Sequence, residues 1–89
     1  MKRKKVLITG GAGFVGAQLI EYLLHKEEYE IVIFDKLEHH EPENYGKNVM
    51  YFKGNILSKE DVLGLFRKYG KFFTIYHLAS AMPNKAVTD

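Results

Sequence analysis

The sequence of 89 residues contains no cysteine. It therefore offers neither a disulfide framework nor a thiolate metal site. No apolar run approaches the roughly 20 residues that a membrane-spanning helix needs. The first residues lead into a strand-like segment without the apolar core of a signal peptide. We therefore expect a cytoplasmic protein that has no membrane partner.

An excess of charge of one sign is also missing, since 13 basic and 11 acidic residues leave a net charge of +2. That value is too small to indicate a nucleic-acid partner. The only basic cluster, residues 2–5, is interpreted as a solvated lead-in to the first strand. Apolar residues make up 46% of the chain and charged residues 27%, which is typical of a globular protein. The length fits one small domain or part of a larger one.

The apolar periodicity predicts alternating strands and helices, with strands at residues 6–9, 31–34, 49–52 and 73–78. Helices are predicted at residues 14–26 and from an N-cap at Ser58 to a stop at Gly70. A polar loop at residues 36–48 connects the second and third strands. Such alternation predicts a parallel sheet. The expected fold class is α/β, the N-terminal half of a Rossmann domain with strand order 3-2-1-4.

Both helices carry apolar stripes that we expect to be buried. In the second helix, Asp61 follows Ser58 at the spacing of a capping box. The stripe residues of the first helix are Val15, Leu19 and Leu23 with Ile20 and Tyr22 beside them, and those of the second are Val62, Phe66 and Tyr69. The aromatic residues expected in the core or against the sheet are Tyr51, Phe52, Phe66, Phe72 and Phe73.

A glycine-rich turn joins the first predicted strand to the first predicted helix. Its glycines fit G-x-G-x-x-G as Gly11, Gly13 and Gly16, and a looser G-x-x-G-x-x-G as Gly10, Gly13 and Gly16. A strand before and a helix after are the setting of a dinucleotide-binding turn. Gly10 would allow the sharp turn, Gly13 the approach of a diphosphate, and Gly16 close packing of helix on strand. A P-loop is excluded because no Gly-Lys-Ser/Thr follows.

Asp35 stands at the end of the second predicted strand, 19 residues after Gly16. That spacing is near the roughly 20 residues expected for the carboxylate that binds the adenosine ribose. A 2′-phosphate in the same place would meet like charge, so Asp35 favours NAD over NADP. Lys36 would partly offset that repulsion. The alternative is a loop carboxylate without a ligand.

The segment TGGAGFVG at residues 9–16 resembles the T-G-G-x-G-[FY]-[IV]-G opening of the extended short-chain dehydrogenase/reductase family, the NAD-dependent epimerases and dehydratases. Residues 34–37 are similar to the family's D-N-L stretch, residues 54–56 to its G-D-[IL], and residues 76–80 to its H-L-A-A. The resemblance implies a set of cofactor-binding residues, namely Gly10, Gly13, Phe14, Val15, Gly16, Asp35, Lys36, Asn55, Ile56, Leu78, Ala79 and Ser80.

The resemblance also implies a function. In this family NAD takes a hydride from a sugar carbon and often returns it, many substrates are nucleotide sugars, and epimerases are isomerases. Residues 1–89 would supply the NAD-binding part. Asn55 stands where the family usually has an aspartate that holds adenine, and its amide oxygen can still accept a hydrogen bond.

The family's catalytic Ser/Thr and Tyr-x-x-x-Lys pair lie beyond the fourth strand. We therefore expect a partial domain without turnover of its own, which would meet a nucleotide sugar only in a full-length protein. The alternatives are a non-catalytic NAD-binding or regulatory module and a gene remnant. The fourth strand would leave an apolar edge at residues 73–78, through which self-association is expected.

Other residues could be mistaken for functional groups. Tyr22 and Lys26 spell Tyr-x-x-x-Lys, but Tyr22 lies about 13 Å along the helix from Gly13 at 1.5 Å per residue. Tyr22 is interpreted as core packing. His39 and His40 are interpreted as part of a solvated loop rather than a metal site. His77 is expected to be packed and hydrogen-bonded rather than catalytic.

Overall fold

The computed structural model describes residues 3–10, 14–36 and 44–78. In these ranges the elements follow the predicted order, within two residues of the predicted strand ends. They are β1 (Lys4–Thr9), α1 (Phe14–Lys26), β2 (Tyr29–Asp35), β3 (Val49–Lys53), α2 (Lys59–Tyr69) and β4 (Thr74–His77).

The strands form a parallel sheet in the order β3-β2-β1-β4, which confirms the predicted fold class and strand order. From β1 the chain moves outward through β2 to β3 and then returns to place β4 on the other side of β1. Thr9 at the end of β1 therefore pairs with Phe34 on one side and with His77 on the other. The order of the sheet reverses between β1 and β4.

Each face of the sheet is covered by a helix. Alternate residues of β1 and β2 point to opposite faces, as the period of a strand requires. With two covered faces, the central residues of β1, β2 and β3 are apolar, which explains the continuous apolar runs in the sequence. On the α1 side the buried cluster is Val6, Ile8, Ile20, Leu23, Ile31, Ile33 and Val49. On the α2 side it is Leu7, Val32, Phe34 and Leu65.

The predicted bounds of α1 are confirmed, but the predicted buried face is wrong in part. Ile20 and Leu23 are buried, as is Gly16, whereas Val15 is 64% exposed and Tyr22 60% exposed. The buried face of the helix therefore contains Gly16, Ile20 and Leu23, and Val15 lies outside it. Tyr22 is therefore not core packing; its ring lies on the surface, with Lys26 Nζ 5.2 Å from the ring centroid.

In α2 both predicted ends are confirmed. The Ser58 side chain accepts a hydrogen bond from Asp61 N at the N-cap, and Gly70 N donates to Phe66 O at the C-terminal end. The buried residue is Leu65, however, while Val62 and Tyr69 are half-buried and Phe66 is 40% exposed.

The aromatic and basic residues near α2 correct two further predictions. Tyr51, Phe52 and Phe72 are half-buried, but Phe73 is exposed and has Lys4 Nζ 4.7 Å above its ring. Lys5 is not merely a solvated lead-in residue, because its Nζ donates a 2.5 Å hydrogen bond to the carbonyl of Tyr69. A cation at the C-terminal end of a helix stabilises it.

Candidate functional site

The predicted site residues that the structure describes gather at one edge of the sheet. Gly10 follows β1, Asp35 ends β2, Asn55 follows β3 and Leu78 follows β4. Because the strands are parallel, their C-terminal ends meet at this edge. In open α/β sheets, ligands bind outside the C-terminal ends of the strands where the strand order reverses. Here that place lies between β1 and β4.

Gly10 opens the turn out of β1. Its φ of +75° lies in the left-handed region, where a side chain is strained. Its N–H donates to the carbonyl of Phe34 at 2.9 Å, which ties the start of the turn to β2. Gly13, Ala79 and Ser80 lie outside the described residues.

The N-terminus of α1 comes next after the glycine turn. Phe14 is the first helical residue, Val15 is exposed, and Gly16 is buried in the first turn. The first turn of a helix carries unpaired N–H groups and about half a positive charge. An anionic group beside this turn would be stabilised by both.

Asp35 and Lys36 lie at the junction of β2 with the candidate site. Asp35 is half-buried, and its backbone carbonyl accepts a 3.0 Å hydrogen bond from Gly54 N. Lys53 is the register partner of Asp35 in β3, so it belongs to the same corner. Lys36 and Lys53 are both exposed. A carboxylate is thus flanked by two positions that carry cations.

The link from β3 to α2 is held by four short-range hydrogen bonds. Asn55 N donates to Asp61 Oδ2 at 2.8 Å, and Leu57 N donates to Asn55 Oδ1 at 2.9 Å. Ser58 N donates to Asn55 O at 2.9 Å, and Asp61 N donates to Ser58 Oγ at 3.2 Å. The Asp61 carboxylate binds the N–H of Asn55, so the link departs from the reciprocal capping box. The bonds fix Asn55 and the half-buried Ile56 against the start of α2.

Gly54 is required by close packing. A Cβ at this position would fall against the edge of the buried Phe34 ring and 3.2 Å from Asp61 Cβ. Phe34 is itself held edge-to-face by Phe52, with ring centroids 5.8 Å apart. The absence of a side chain therefore brings the β3–α2 link close to the end of β2.

The ends of β1 and β4 are joined by a side-chain hydrogen bond. Thr9 Oγ1 and His77 Nδ1 are 2.6 Å apart, and the Leu78 N–H donates to Thr9 O at 2.8 Å. Thr9 is 2% exposed, whereas His77 is exposed. The predicted hydrogen bonding of His77 is confirmed, but its predicted packing is wrong. The two strand ends are thus fixed where the sheet order reverses.

An open cleft of about 460 Å³ lies beside this edge. Among the described residues, those that line it are Lys36, Lys53, Gly54, Asn55 and Asp61. The lining offers acceptors, donors and cations, which suits a polar heterocycle attached to an anionic group. Among residues 3–10, 14–36 and 44–78, no three potential ligands are grouped to hold a metal ion. His39 and His40 fall outside those ranges.

Neither helix of the described chain is long and apolar enough to cross a membrane.

The sequence did not indicate the part that four residues play at this edge, namely Thr9, Lys53, Gly54 and Asp61. For Asp61, what it did not indicate is the contact with Asn55. The spacing of Ser58 and Asp61 indicated only a helix cap. The partner of Thr9 is 68 residues away, so no local pattern reveals it. The glycine before Asn55 was part of a recognised motif, but its contact with Phe34 depends on the packing of two strands.

Comparison with known proteins shows matches that cover most of the chain. The model of the NAD dependent epimerase/dehydratase family matches residues 6–88. The dTDP-D-glucose 4,6-dehydratase of Dictyostelium discoideum is 39% identical over 84 residues, which are 86% of this chain and 19% of that protein. The bifunctional UDP-glucose 4-epimerase and UDP-xylose 4-epimerase 1 of Pisum sativum is 30% identical over 87 residues, 85% of this chain and 24% of that protein.

Solved structures show the same fold. The UDP-glucose 4-epimerase of Thermus thermophilus in complex with NAD superposes with a TM-score of 0.73 at 36% identity, over 85% of this chain and 24% of that one. The Bordetella bronchiseptica enzyme WbmG in complex with NAD and UDP gives a TM-score of 0.77 at 25% identity, over 97% of this chain and 28% of that one.

The chain thus spans about a fifth to a quarter of the length of these curated relatives. Its four-stranded sheet corresponds to the N-terminal Rossmann half of the epimerase structures. With a family match from residue 6 to residue 88, the chain belongs to the NAD-dependent epimerase/dehydratase family.

Proposed function

We propose that this chain binds the adenosine and diphosphate of NAD for an enzyme that acts on a nucleotide sugar. The observation that carries the proposal is the convergence of Gly10, the start of α1, Asp35 and the Asn55 link on one edge of the sheet. Two of the structurally similar enzymes were solved with NAD, and relatives are named for dTDP- or UDP-sugars.

The turn from Gly10 to Gly16 would take the diphosphate. The positive φ of Gly10 starts the turn, and Gly13 is proposed to let the chain approach the phosphate oxygens. The N-terminal N–H groups of α1, from Phe14 and Val15 onward, would receive their charge. In this first turn the Val15 side chain is exposed, whereas Gly16 lies on the buried face of the helix.

The remaining residues would hold the two ends of the cofactor. Asp35 is assigned to the adenosine ribose hydroxyls, beside Lys36. Asn55 and Ile56 would contact the adenine side, and Leu78, Ala79 and Ser80 would pass along the other half. When bound, NAD supplies a reversible acceptor for hydride. This chain's part is to hold the cofactor in a fixed place at the sheet edge.

Binding of NAD to the chain of 89 residues tests the proposal directly. Isothermal titration calorimetry is expected to show saturable binding to the unaltered chain. Gly13→Val should abolish it, because a branched side chain would stand where the backbone approaches the diphosphate. Gly64→Ala in α2 is the matched control, since its Cβ would lie 3.6 Å from Phe52, an ordinary contact outside the site.

Thermal melting of each variant shows whether a loss of binding reflects a loss of folding. Saturable NAD binding that survives Gly13→Val in a folded variant would contradict the role of the glycine turn. No binding by the unaltered chain would contradict the proposed function itself.

A further inference from the structure

The cleft beside Asp35 is where a base attached to a ribose at that carboxylate would lie. Gly54 N is bonded to the backbone carbonyl of Asp35, so the cleft wall formed by Gly54, Asn55 and Asp61 starts directly at the ribose position. A purine held there would present its exocyclic group to one of the polar side chains of this wall. This placement rests on the proposed function.

Asn55 is poorly suited to accept a hydrogen bond from that exocyclic group. Its side-chain acceptor, Oδ1, accepts the Leu57 N–H at 2.9 Å, which uses one of the two lone pairs of that oxygen and turns it toward the chain. With the oxygen turned toward Leu57, the other end of the amide is an NH2 group with two donors. The 6-amino group of adenine is itself a donor. If the NH2 end of Asn55 met the base, a donor would face a donor, and the amide offers at most one remaining lone pair to the 6-amino group.

Asp61 has the opposite character. An ionised carboxylate only accepts hydrogen bonds, and it has two oxygens. The bond from Asn55 N uses Oδ2, and the side chain also forms part of the cleft lining. Both the carboxylate and the backbone of Asp61 are held, since its own N–H donates a hydrogen bond to Ser58 Oγ at the start of α2. Hydrogen bonds to an ionised acceptor are about twice as strong as neutral ones.

We propose that Asp61, and not Asn55, accepts the hydrogen bond from the 6-amino group of adenine and makes the site selective for a 6-aminopurine over a 6-oxopurine. The carboxylate that the family usually carries at the position of Asn55 is supplied here from the first turn of α2. Asn55 then acts as a positioning residue, since its N–H orients the Asp61 carboxylate.

The test compares NAD with nicotinamide hypoxanthine dinucleotide, which has an oxygen in place of the 6-amino group. The unaltered chain should bind NAD at least about tenfold more tightly, the effect of one hydrogen bond to a charged group. In Asp61→Asn the amide oxygen can keep the Asn55 N–H while its NH2 faces the cleft. The preference should then reverse in favour of the hypoxanthine dinucleotide. In Asp61→Ser, which has a hydroxyl that donates or accepts, the two ligands should bind within about twofold of each other.

Two control variants separate Asp61 from its neighbours. Glu60→Gln removes the same charge from an exposed position in the same helix and should leave the ratio of the two dissociation constants unchanged. Asn55→Ala keeps the backbone N–H that binds Asp61 but loses the bond from Leu57 N, so it should weaken both ligands without altering their ratio. The assignment is overturned if the ratio is unchanged in Asp61→Asn and Asp61→Ser, or if it responds to Asn55→Ala instead. If the unaltered chain binds neither dinucleotide, the proposed function falls and this assignment falls with it.

Discussion

At the scale of single residues, we expect Asp35 to decide which dinucleotide the proposed site prefers. Its carboxylate ends β2 beside the cleft, with Lys36 next in sequence and Lys53 opposite in register. A 2′-phosphate near this carboxylate meets a repulsion of up to about 4 kcal/mol at 4 Å in an effective dielectric of 20. The two lysines would offset part of that repulsion, so we expect a preference for NAD that depends on the balance of three charges.

Asp35→Asn should shift that balance toward NADP. The amide can still bond a ribose hydroxyl but no longer repels a phosphate, so the affinity for NADP relative to NAD should rise about tenfold or more. Calorimetric titration with both dinucleotides measures the ratio. Lys36→Met is the complementary variant and should lower the same ratio. If Asp35→Asn left the affinity for NADP relative to NAD unchanged, the assignment of Asp35 to the ribose would be wrong.

At the scale of elements, two glycines near α2 should respond in opposite ways to alanine. Gly54→Ala places a methyl group against the buried Phe34 ring, and overpacking of this kind costs about 1–3 kcal/mol. Gly64→Ala fills ordinary space within the helix and should gain up to about 1 kcal/mol from helix propensity. Urea unfolding gives both free energies. If Gly54→Ala raised the free energy of unfolding as much as Gly64→Ala, the Phe34 ring would have moved aside without cost.

The elements themselves were predictable because each depends on a local pattern. Strands buried on both faces read as apolar runs, and the Ser58 and Gly70 caps carry side-chain and backbone chemistry that the sequence displays. The rotation of α1 was not predictable. Apolar residues surround much of that helix, so its periodicity allows several faces. In the structure the buried face is the one that contains Gly16, Ile20 and Leu23, which leaves Val15 and Tyr22 exposed.

The candidate site, too, has features that the sequence predicts and features that it does not. Gly10 and Asp35 could be placed at the sheet edge because they directly follow or end predicted strands. The contacts between Asn55 and Asp61 and between Thr9 and His77 arise only when a link folds back or distant strands pair. Sequence patterns therefore indicated which residues reach the edge, and the packing decided which of them touch.

At the scale of the whole molecule, β4 is an outer strand of the described sheet, and exposed apolar side chains lie in it and just before it. Phe73 is 62% exposed and Ile75 51% exposed. An apolar edge strand is a template for pairing with another chain. We expect concentration-dependent oligomers of the 89-residue chain in sedimentation velocity experiments. Ile75→Lys should shift the distribution toward monomer, because a charge on an edge strand opposes pairing.

Leu63→Lys is the matched control, because Leu63 is exposed to a similar extent but lies on α2. It should leave the oligomer distribution unchanged. A chain that stays monomeric at every concentration, or one that responds equally to both lysines, would contradict association through β4.

The central position of β1 has a consequence for how the protein is made. Its two neighbours are β2, which follows soon in the chain, and β4, whose His77 is 68 residues from Thr9. A ribosome that adds about 5–20 residues per second needs about 2–8 s to extend the chain from Asp35 to His77. For those seconds the nascent β1 lacks one of its two partners. The strand that is synthesised first is therefore also the one that waits longest for its last hydrogen bonds.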